Sequence, residues 1–393
     1  MINCNFKWIV LSGHSSFESG GVGTHLRILQ QELKKSKYDY IFVLGKSSIQ
    51  ALYHKSFIAI NRFLGLCSQE ADIFLHISLL SKRLKNALKK SNGIDVVVHC
   101  HDFLAVLAAI KLKDEIRDTF RIVYTVHAPF SEQFLLSKVP GSLIPEIATR
   151  IESAFLSRCD GFIFVDNLQK TIVEKKIGNL AEDRCLMLPN AVNLEVIEGF
   201  RLRAQRKPYI VVARHLYEKC GVHVALEAFS KASIPENIKL VIIGDGDQRD
   251  ALKKQAFDLG VSSRVVFLGK KPYDISLATI SEAMLSIVPS IPVGNYIEAT
   301  SLTMLESLAL GVPLIASDIG GLKQVLSGTN AGVLVAAGDV CQLVSAIENV
   351  IKNPEVASEL SQNSIALIEL KHSSSYWFIH QMEFITSIVE DSL

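Results

Sequence analysis

Short apolar segments rich in valine and isoleucine alternate with amphipathic stretches along this chain. That alternation is typical of parallel strands that are buried on both faces and connected by helices. It occurs twice, and it predicts an α/β protein with two doubly wound, Rossmann-like parallel sheets. The first six strands are predicted near residues 8–11, 40–44, 95–99, 122–126, 161–165 and 185–188. The second six are predicted near residues 209–213, 240–243, 265–268, 285–288, 314–316 and 332–335.

A polar segment at residues 195–208 separates the two halves. It shows no strand pattern and carries four cations: Arg201, Arg203, Arg206 and Lys207. We therefore predict a linker at 195–208 between a first domain at 1–194 and a second at 209–374, each long enough to bury its own core. Because ligands bind at the carboxyl ends of strands in such sheets, we expect the functional site in a cleft that both sheets face.

Charge and cysteine content exclude several classes of protein. The chain has 41 basic and 40 acidic side chains, so no overall field attracts nucleic acid. Its seven cysteines are odd in number and lack any Cys-x-x-Cys spacing, which argues against a disulfide framework and a cysteine zinc site. The sequence shows neither a signal peptide nor a transmembrane segment, and we expect a cytoplasmic protein.

Two glutamates, Glu298 and Glu306, lie on either side of a predicted helix start. Residues 303–310 are mostly good helix formers, and Gly311 is placed to end the helix. The main-chain N–H groups of residues 301–304 would be unpaired there and would favour an anionic ligand, while the carboxylates accept hydrogen bonds from hydroxyl groups. Phosphate and polyol recognition together suggest a nucleotide sugar.

Two further segments carry groups that suit phosphate. A glycine-rich loop with Gly20 and Gly21 follows the first strand and opens a helix, so its N–H groups could approach a phosphate. A turn that serves packing alone explains the loop equally well. Arg214 and Lys219 follow the first strand of the second half, where they could neutralise a leaving diphosphate. A solvated cation pair is the alternative there.

Histidines end two strands of the first half. His99 and His101 precede Asp102, and His127 ends the next strand. A His-Asp pair with a further histidine could bind a metal ion, but nothing else in the sequence completes a coordination set. We therefore predict no metal site.

With these motifs the chain resembles the retaining family 4 glycosyltransferases, which have the GT-B fold. The pair Glu298 and Glu306, followed by Gly311-Val-Pro-Leu-Ile-Ala-Ser317, is similar to the mark of that family. Seven further segments of this chain resemble motifs of that family: Gly20-Gly21, His127, Pro189-Asn190, Arg214 with Lys219, Gly244-Asp-Gly246, Phe267-Leu-Gly269 and Gly320-Gly321. The resemblance also implies that a final helix within 375–393 crosses back to the first domain.

The resemblance implies a function and assigns roles. It implies a retaining, metal-independent hexosyltransferase that uses a nucleotide sugar, with a UDP-sugar expected, and a glycan or lipid-linked glycan acceptor in polysaccharide or lipopolysaccharide synthesis. The implied catalytic residues are Arg214, Lys219, Glu298 and His127. The implied donor-binding residues are Gly20, Gly21, Gly244, Gly246, Gly269, Ser301, Leu302, Thr303 and Glu306. His101 and Asp102 either shape the acceptor side or pack structurally.

The chain departs from the family pattern at four positions. Thr300 and Ser301 stand where the family has an aromatic residue and a glycine, and Ala213 and Gln324 replace a glycine and a glutamate. Because of these four departures, an alternative function stays open, namely that the protein binds a nucleotide sugar without catalysing its transfer. A nucleotide-sugar 2-epimerase also has two facing sheets, but the glutamate pair argues against it. A nicotinamide dehydrogenase would need a glycine pattern that is absent.

Two basic, leucine- or phenylalanine-containing stretches suggest a contact with lipid. Residues 82–90 carry five cations with leucines four apart, and residues 55–66 mix Lys55 and Arg62 with apolar side chains. Amphipathic basic helices lie on anionic membranes, whereas an ordinary solvated helix face has the same composition. We state peripheral membrane contact as a hypothesis.

Overall fold

The computed structural model describes residues 6–14, 20–45, 68–91, 94–116, 120–127, 144–201, 205–294 and 297–390. The chain divides into two compact units. One comprises Met1–Leu188 together with Phe378–Leu393, and the other comprises Pro189–Trp377. The predicted lipid-binding stretch at 55–66 lies outside the described residues.

The first unit is built on a six-stranded sheet of order β2-β1-β3-β4-β5-β6. All five strand pairings are parallel. The strands are β1 (Phe6–Ser12), β2 (Tyr40–Leu44), β3 (Asp95–Cys100), β4 (Arg121–Val126), β5 (Gly161–Phe164) and β6 (Cys185–Met187). The described helices are α1 (Gly20–Lys35), α2 (Ser68–Leu88), α3 (Phe103–Ile116), α4 (Ile144–Leu156) and α5 (Asn167–Ile177).

The second unit has a six-stranded parallel sheet of order β12-β11-β10-β7-β8-β9. Its strands are β7 (Lys207–Ala213), β8 (Lys239–Ile243), β9 (Val265–Gly269), β10 (Ala283–Val288), β11 (Leu314–Ser317) and β12 (Val333–Val335). Its helices are α6 (Leu194–Arg201), α7 (Val222–Lys231), α8 (Arg249–Asp258), α9 (Tyr273–Ser281), α10 (Leu302–Ala309), α11 (Gly320–Leu326), α12 (Val340–Lys352) and α13 (Pro354–Lys371). The predicted α/β class and doubly wound sheets are confirmed.

The strand order of each sheet reverses at one point. In the first unit the reversal lies between β1 and β3, and in the second it lies between β7 and β10. Connections leave such neighbouring strands in opposite directions, so a crevice opens at their carboxyl ends. Residues that directly follow these four strands are therefore the first candidates for a functional site.

The segment predicted as a linker is largely structured. Residues 194–201 form α6, β7 begins at Lys207, and both belong to the second unit, whose boundary lies between Leu188 and Pro189. Polar composition hid the apolar face of α6, on which Ile197 is buried. Arg206 is also not a linker cation, since its guanidinium donates to backbone carbonyls of the second unit.

The last helix, α14 (Ser374–Glu390), begins in the second unit and continues into the first. Within the first unit, the ring of Phe378 stacks 6.2 Å from that of Trp8. Phe384 and Ile388 pack so closely on β5 that a Cβ added at Gly161 would lie about 3 Å from both. None of the helices described is long and apolar enough to span a bilayer.

Candidate functional site

Arg214 lies at the reversal point of the second sheet. It directly follows β7, while Ser290 and Glu298 follow the adjacent strand β10. The Nη2 atom of Arg214 lies 2.8 Å from Glu298 Oε2 and 3.1 Å from Ser290 Oγ. Its Nη1 atom donates to Ser301 Oγ at 2.8 Å. Three acceptors from the region between β10 and α10 therefore fix the guanidinium.

Ser301 caps helix α10. Its Oγ accepts a hydrogen bond from the Met304 N–H at 3.4 Å, so one oxygen serves both the helix start and Arg214. Thr303 Oγ1 donates to the carbonyl of Ala213 at 3.0 Å and ties the first turn to the end of β7. The predicted helix is confirmed within one residue at each end. The expectation that all N–H groups of 301–304 are unpaired is wrong for Met304, because the serine side chain takes that N–H.

Backbone contact at Gly320 holds the main chain of Glu298 in place. Gly320 has φ of 46°, and a Cβ there would lie 2.1 Å from the carbonyl oxygen of Glu298. The Gly321 N–H donates to the same oxygen at 3.0 Å. Only glycine permits this approach at position 320, so the start of α11 fixes the loop that carries Glu298.

The predicted donor-binding glycines of the second unit lie against the backbone around Arg214. A Cβ at Gly244, where φ is 139°, would lie 1.8 Å from the Arg214 carbonyl oxygen. A Cβ at Gly246 would meet the carbonyl of Leu216, and the Gly244 N–H donates to the carbonyl of Gly269 at 3.0 Å. Their contacts in this structure are therefore with the protein backbone and shape the Arg214 loop.

Lys219 belongs to the same group of charges. It lies in a short 3-10 turn, Glu218–Cys220, directly after the Arg214 loop. Burial lowers the pKa of Lys219, and the nearby charge of Glu298 opposes that effect only in part. Both side chains of the Arg214–Glu298 pair are largely buried as well. Arg214 and Lys219 carry two positive charges, whereas Glu298 carries one negative charge. These three side chains together therefore favour the binding of an anion.

Four histidines lie together in the first unit. The ring of His99 lies 4.1 Å from that of His101 and is hydrogen-bonded through Nε2 to Thr125. His101 and His127 follow the adjacent strands β3 and β4, and His25 lies on α1. Their ring centroids are 4.4 Å apart for His25 and His127, 5.1 Å for His25 and His101, and 5.8 Å for His101 and His127. Burial, reinforced by neighbouring histidines, lowers the pKa of His101 and of His127 well below the usual range. Both rings are therefore neutral at pH 7.

Asp102 holds the loop after β1 against helix α3. Its Oδ2 accepts from Ser12 Oγ at 2.7 Å and from the Gly13 N–H at 2.6 Å, and its Oδ1 accepts from the Ala105 N–H at 2.9 Å. Burial raises the pKa of Asp102, but hydrogen bonds from His14, Ser12 and Ala105 outweigh it and lower the pKa overall. Of the two roles predicted for Asp102, these contacts support the structural one.

The remaining predicted residues are divided between the units. Gly20 and Gly21 lie in the first turn of α1, in the first unit with His127, whereas Arg214, Lys219 and Glu298 lie in the second unit. Leu302 is the first residue of α10, and Glu306 is buried in its second turn.

His25 and Ser290 do not stand out as candidate site residues in the sequence. His25 stands five residues after Gly20, so it lies one and a half turns into the helix that the glycines open, and helical spacing was the signal that could have found it. Ser290 lies two residues past β10, at the strand end where ligand-binding residues of such sheets are sought. Neither residue belongs to a sequence motif that indicates a function.

Several known proteins similar in sequence are named as glycosyltransferases. An uncharacterised glycosyltransferase of Methanocaldococcus jannaschii is 26% identical over 261 residues, 62% of this chain and 63% of that protein. The N-acetyl-alpha-D-glucosaminyl L-malate synthase of Bacillus anthracis is 27% identical over 293 residues, 73% of either chain. A lipopolysaccharide core biosynthesis glycosyltransferase of Rhizobium meliloti is 30% identical over 159 residues, 39% of this chain and 43% of that protein. The chain thus spans less than two thirds of the archaeal relative.

Solved structures match over nearly the whole chain. Sucrose-phosphate synthase from Thermosynechococcus elongatus has a TM-score of 0.75 at 17% identity, covering 98% of this chain and 100% of that one. The Anabaena protein HepE, solved in complex with UDP-glucose, has a TM-score of 0.69 at 15% identity, covering 97% and 99%. These similarities show that the chain has the GT-B fold.

Two family models match adjacent parts of the sequence. The model described as Glycosyltransferase Family 4 matches residues 19–196. The model described as Glycosyl transferases group 1 matches residues 197–366, so the two matches meet inside α6 and together include most of the chain. The predicted resemblance is confirmed, and the chain belongs to the family 4 glycosyltransferases.

Proposed function

We propose that this protein is a retaining glycosyltransferase that transfers a hexosyl unit from a nucleoside-diphosphate sugar to a hydroxyl group. The observation that carries the proposal is the cationic group at the reversal point of the second sheet. Arg214 is fixed there by Glu298, Ser290 and Ser301, and the partly buried Lys219 lies next to the same carboxylate. A fixed guanidinium beside an ammonium group suits a diphosphate, whose charge increases when the glycosyl bond breaks.

In the proposed reaction, the acceptor hydroxyl attacks the anomeric carbon from the face that the diphosphate leaves. The bond from that carbon to the phosphate oxygen breaks, the bond to the acceptor oxygen forms, and the acceptor proton passes to the leaving phosphate oxygen. Arg214 and Lys219 stabilise the phosphate, so no metal ion is required at the diphosphate. Glu298 accepts hydrogen bonds from the sugar, Glu306 accepts them from the ribose, and His127 binds the sugar.

We infer a UDP-sugar as donor and a cell-surface glycan or lipid-linked glycan as acceptor. The donor inference draws on the structural similarity to HepE, which was solved with UDP-glucose. The acceptor inference draws on the similarity to the lipopolysaccharide enzyme of Rhizobium meliloti. Helix α2 fits a membrane-associated acceptor in part. Phe74 is exposed on it and Lys82 and Lys85 are exposed further along, whereas Arg83 donates to two backbone carbonyls at the end of β2.

Substitution of the two cations tests the proposal. We expect Arg214→Ala and Lys219→Ala each to lower kcat by about 10²- to 10³-fold, because each removes a positive charge that acts on the leaving phosphate. Lys231→Ala is the matched control, since Lys231 is an exposed lysine paired with Glu227. Transfer from a panel of UDP-, GDP-, ADP- and CMP-sugars is assayed with and without a chelator, and NMR of the product gives its anomeric configuration. Wild-type rates in both variants, or an inverted product, would contradict the mechanism.

A second candidate is a protein that binds the donor without turnover. The Ser301 hydroxyl favours it, because this side chain already accepts a hydrogen bond from Arg214 where the family has a glycine. Thermal shift with the same donor panel separates the two candidates, since ligand binding stabilises either protein but only the transferase forms product.

A further inference from the structure

The histidine cluster of the first unit has ligand geometry that the proposed transfer does not use. One ring nitrogen each of His25, His101 and His127 lies within 4.8 Å of the corresponding atoms of the other two. His101 is only 1% exposed, and neither of its ring nitrogens has a hydrogen-bond partner among the described residues. The Nε2 atom of His127 is likewise buried without a partner in the described part of the chain. A buried polar atom without a partner is costly, so the cluster suits a ligand that bonds to these nitrogens.

We propose that His25, His101 and His127 form a binding site for a transition-metal ion of the zinc class. Imidazole nitrogens suit Zn²⁺, Co²⁺ and Ni²⁺, whereas Mg²⁺ and Ca²⁺ require oxygen ligands that these three side chains do not provide. Nitrogens bound to a tetrahedral zinc ion lie roughly 3.3 Å apart, so the rings need to turn inward by about 1 Å. Three histidines leave the fourth coordination position to water.

The residues around the histidine cluster determine how tightly it binds a metal ion. Histidine ligands of tightly held metals donate their second N–H to a carboxylate or a carbonyl. The nearest carboxylate in sequence, Asp102, instead accepts from Ser12, Gly13 and Ala105. Without that support we expect reversible binding, with an ion that a chelator removes and that returns on titration.

Metal binding would have a consequence for the reaction, and this step rests on the proposed function. His127 is proposed to contact the donor sugar, and its ring cannot bind a metal ion and the sugar through the same nitrogen. The ion is therefore an inhibitor of transfer, competitive with the donor. Transfer itself remains independent of metal and resistant to chelators.

Metal binding is tested without any activity assay. The chelator-treated protein is titrated with Co²⁺, followed by visible absorption, and with Zn²⁺, followed by calorimetry. We expect one ion per chain, an absorption spectrum typical of four-coordinate Co²⁺, and at least tenfold weaker binding in His101→Gln and in His127→Gln. His223→Gln is the control, because His223 lies in the second unit, and melting curves establish that each variant is folded. Absence of stoichiometric binding, or undiminished affinity in both variants, would overturn the proposal.

The inhibition is tested separately. His25→Gln removes a ligand that has no place in the proposed transfer, so we expect it to retain turnover and to lose inhibition by Zn²⁺ at least tenfold. If the wild type binds one zinc ion but shows no transfer, the metal site stands and the proposed function fails. If transfer occurs and zinc neither binds nor inhibits, the metal site fails alone.

Discussion

Arg214 depends on its neighbours because its charge is almost wholly buried. Its side chain is 8% exposed and that of Glu298 is 14% exposed, so both ions have lost most of their hydration. A pair of this kind is maintained only when hydrogen bonds satisfy the remaining donors and acceptors. The hydroxyls of Ser290 and Ser301 fulfil that condition, and Ser301 does so at a position where the family has a glycine.

Substitution of Ser301 separates its two roles. In Ser301→Ala both the helix cap and the bond to Arg214 are lost, and we expect the free energy of unfolding to fall by about 1 kcal/mol or more. Ser301→Gly also loses both hydrogen bonds of Oγ, but glycine is well tolerated at a helix N-cap, so the loss from capping is only a few tenths of a kcal/mol. Urea denaturation measures the difference between the two variants. Equal stabilities would show that capping by Ser301 contributes nothing.

An arginine and a serine hold the other end of helix α10, where Ser361 Oγ donates to the carbonyl of Gly311 at 2.6 Å. Arg206 Nη2 donates to the carbonyls of Leu310 at 3.4 Å and Gly311 at 2.6 Å, and its Nη1 donates to those of Ser281 and Ala283. The guanidinium thereby satisfies carbonyl groups that the helix end leaves open. One side chain preceding β7 thus connects the ends of α9 and α10.

Replacement of Arg206 is therefore expected to destabilise the second unit. We expect Arg206→Met to lower its free energy of unfolding by about 2–4 kcal/mol, because the carbonyl groups at the ends of α9 and α10 lose this donor, while Gly311 keeps its bond from Ser361. Arg206→Lys should recover only part of that loss, since an ammonium group lacks the planar fork of a guanidinium. Urea unfolding is followed by the fluorescence of Trp377 in a Trp8→Phe background, since the chain has two tryptophans. Lys207→Met, which removes an exposed pair with Glu282, should change little.

A histidine between α13 and α14 links these helices to the start of the second unit. His372 Nδ1 donates to the carbonyl of Asn190 at 3.2 Å, and the His372 carbonyl accepts from the Val192 N–H at 2.9 Å. Burial lowers the pKa of His372, and the hydrogen bond to Asn190 opposes that shift only in part. The native state therefore keeps this ring neutral at a pH where the unfolded chain binds a proton.

The lowered pKa of His372 predicts how stability changes with acidity. Below pH 6.5 the unfolded state binds one more proton at this histidine than the native state, so stability falls as the pH decreases. The contribution is at most about 1.4 kcal/mol per pH unit and ends at the lower, native pKa. Denaturation of wild type and His372→Gln at pH 7.5, 6.5 and 5.5 measures it. We expect a shallower decline in the variant, and parallel declines would refute the assignment.

At the scale of the whole molecule, the chain passes between its two units at two places. It leaves the first unit after Leu188 and returns to it at Phe378, within α14. The returning residues are part of the first unit's core, because Phe384 and Ile388 pack on Gly161 of β5. The first unit is therefore complete only when the last residues of the chain are in place.

A substitution in the last helix should consequently unfold the first unit more easily. We expect Ile388→Ala to lower its free energy of unfolding by about 2–4 kcal/mol, because the substitution leaves a cavity against β5. The matched control is Ile379→Ala on the same helix, where the side chain is 53% exposed. The chain has two tryptophans, so a Trp377→Phe background leaves Trp8 of the first unit as the reporter. Equal effects of both substitutions would place Ile388 outside the core.

The class of fold, the family and the positions of the twelve strands described above could all be predicted from the sequence. Strands buried on both faces are continuous apolar runs, and a run is visible in the sequence whatever it pairs with. Helix α10 was equally predictable, because a glycine marks its end and good helix formers fill it. Arg214 and Lys219 stood out because they follow a predicted strand, and Glu298 because it precedes a predicted helix start. The structure brings the three side chains together.

Tertiary structure alone decided what these side chains contact. Residues 195–208 were predicted as a linker, whereas the apolar side of 194–201 packs in the second unit. Asp102 had two possible roles until its oxygens were seen to accept from Ser12, Gly13 and Ala105. His25 joins His101 and His127 although it stands 76 and 102 residues before them in the chain. Periodicity and local motifs describe a segment of chain, whereas a contact between distant segments depends on the order and direction of the strands that carry them. That order became visible only in the folded sheets.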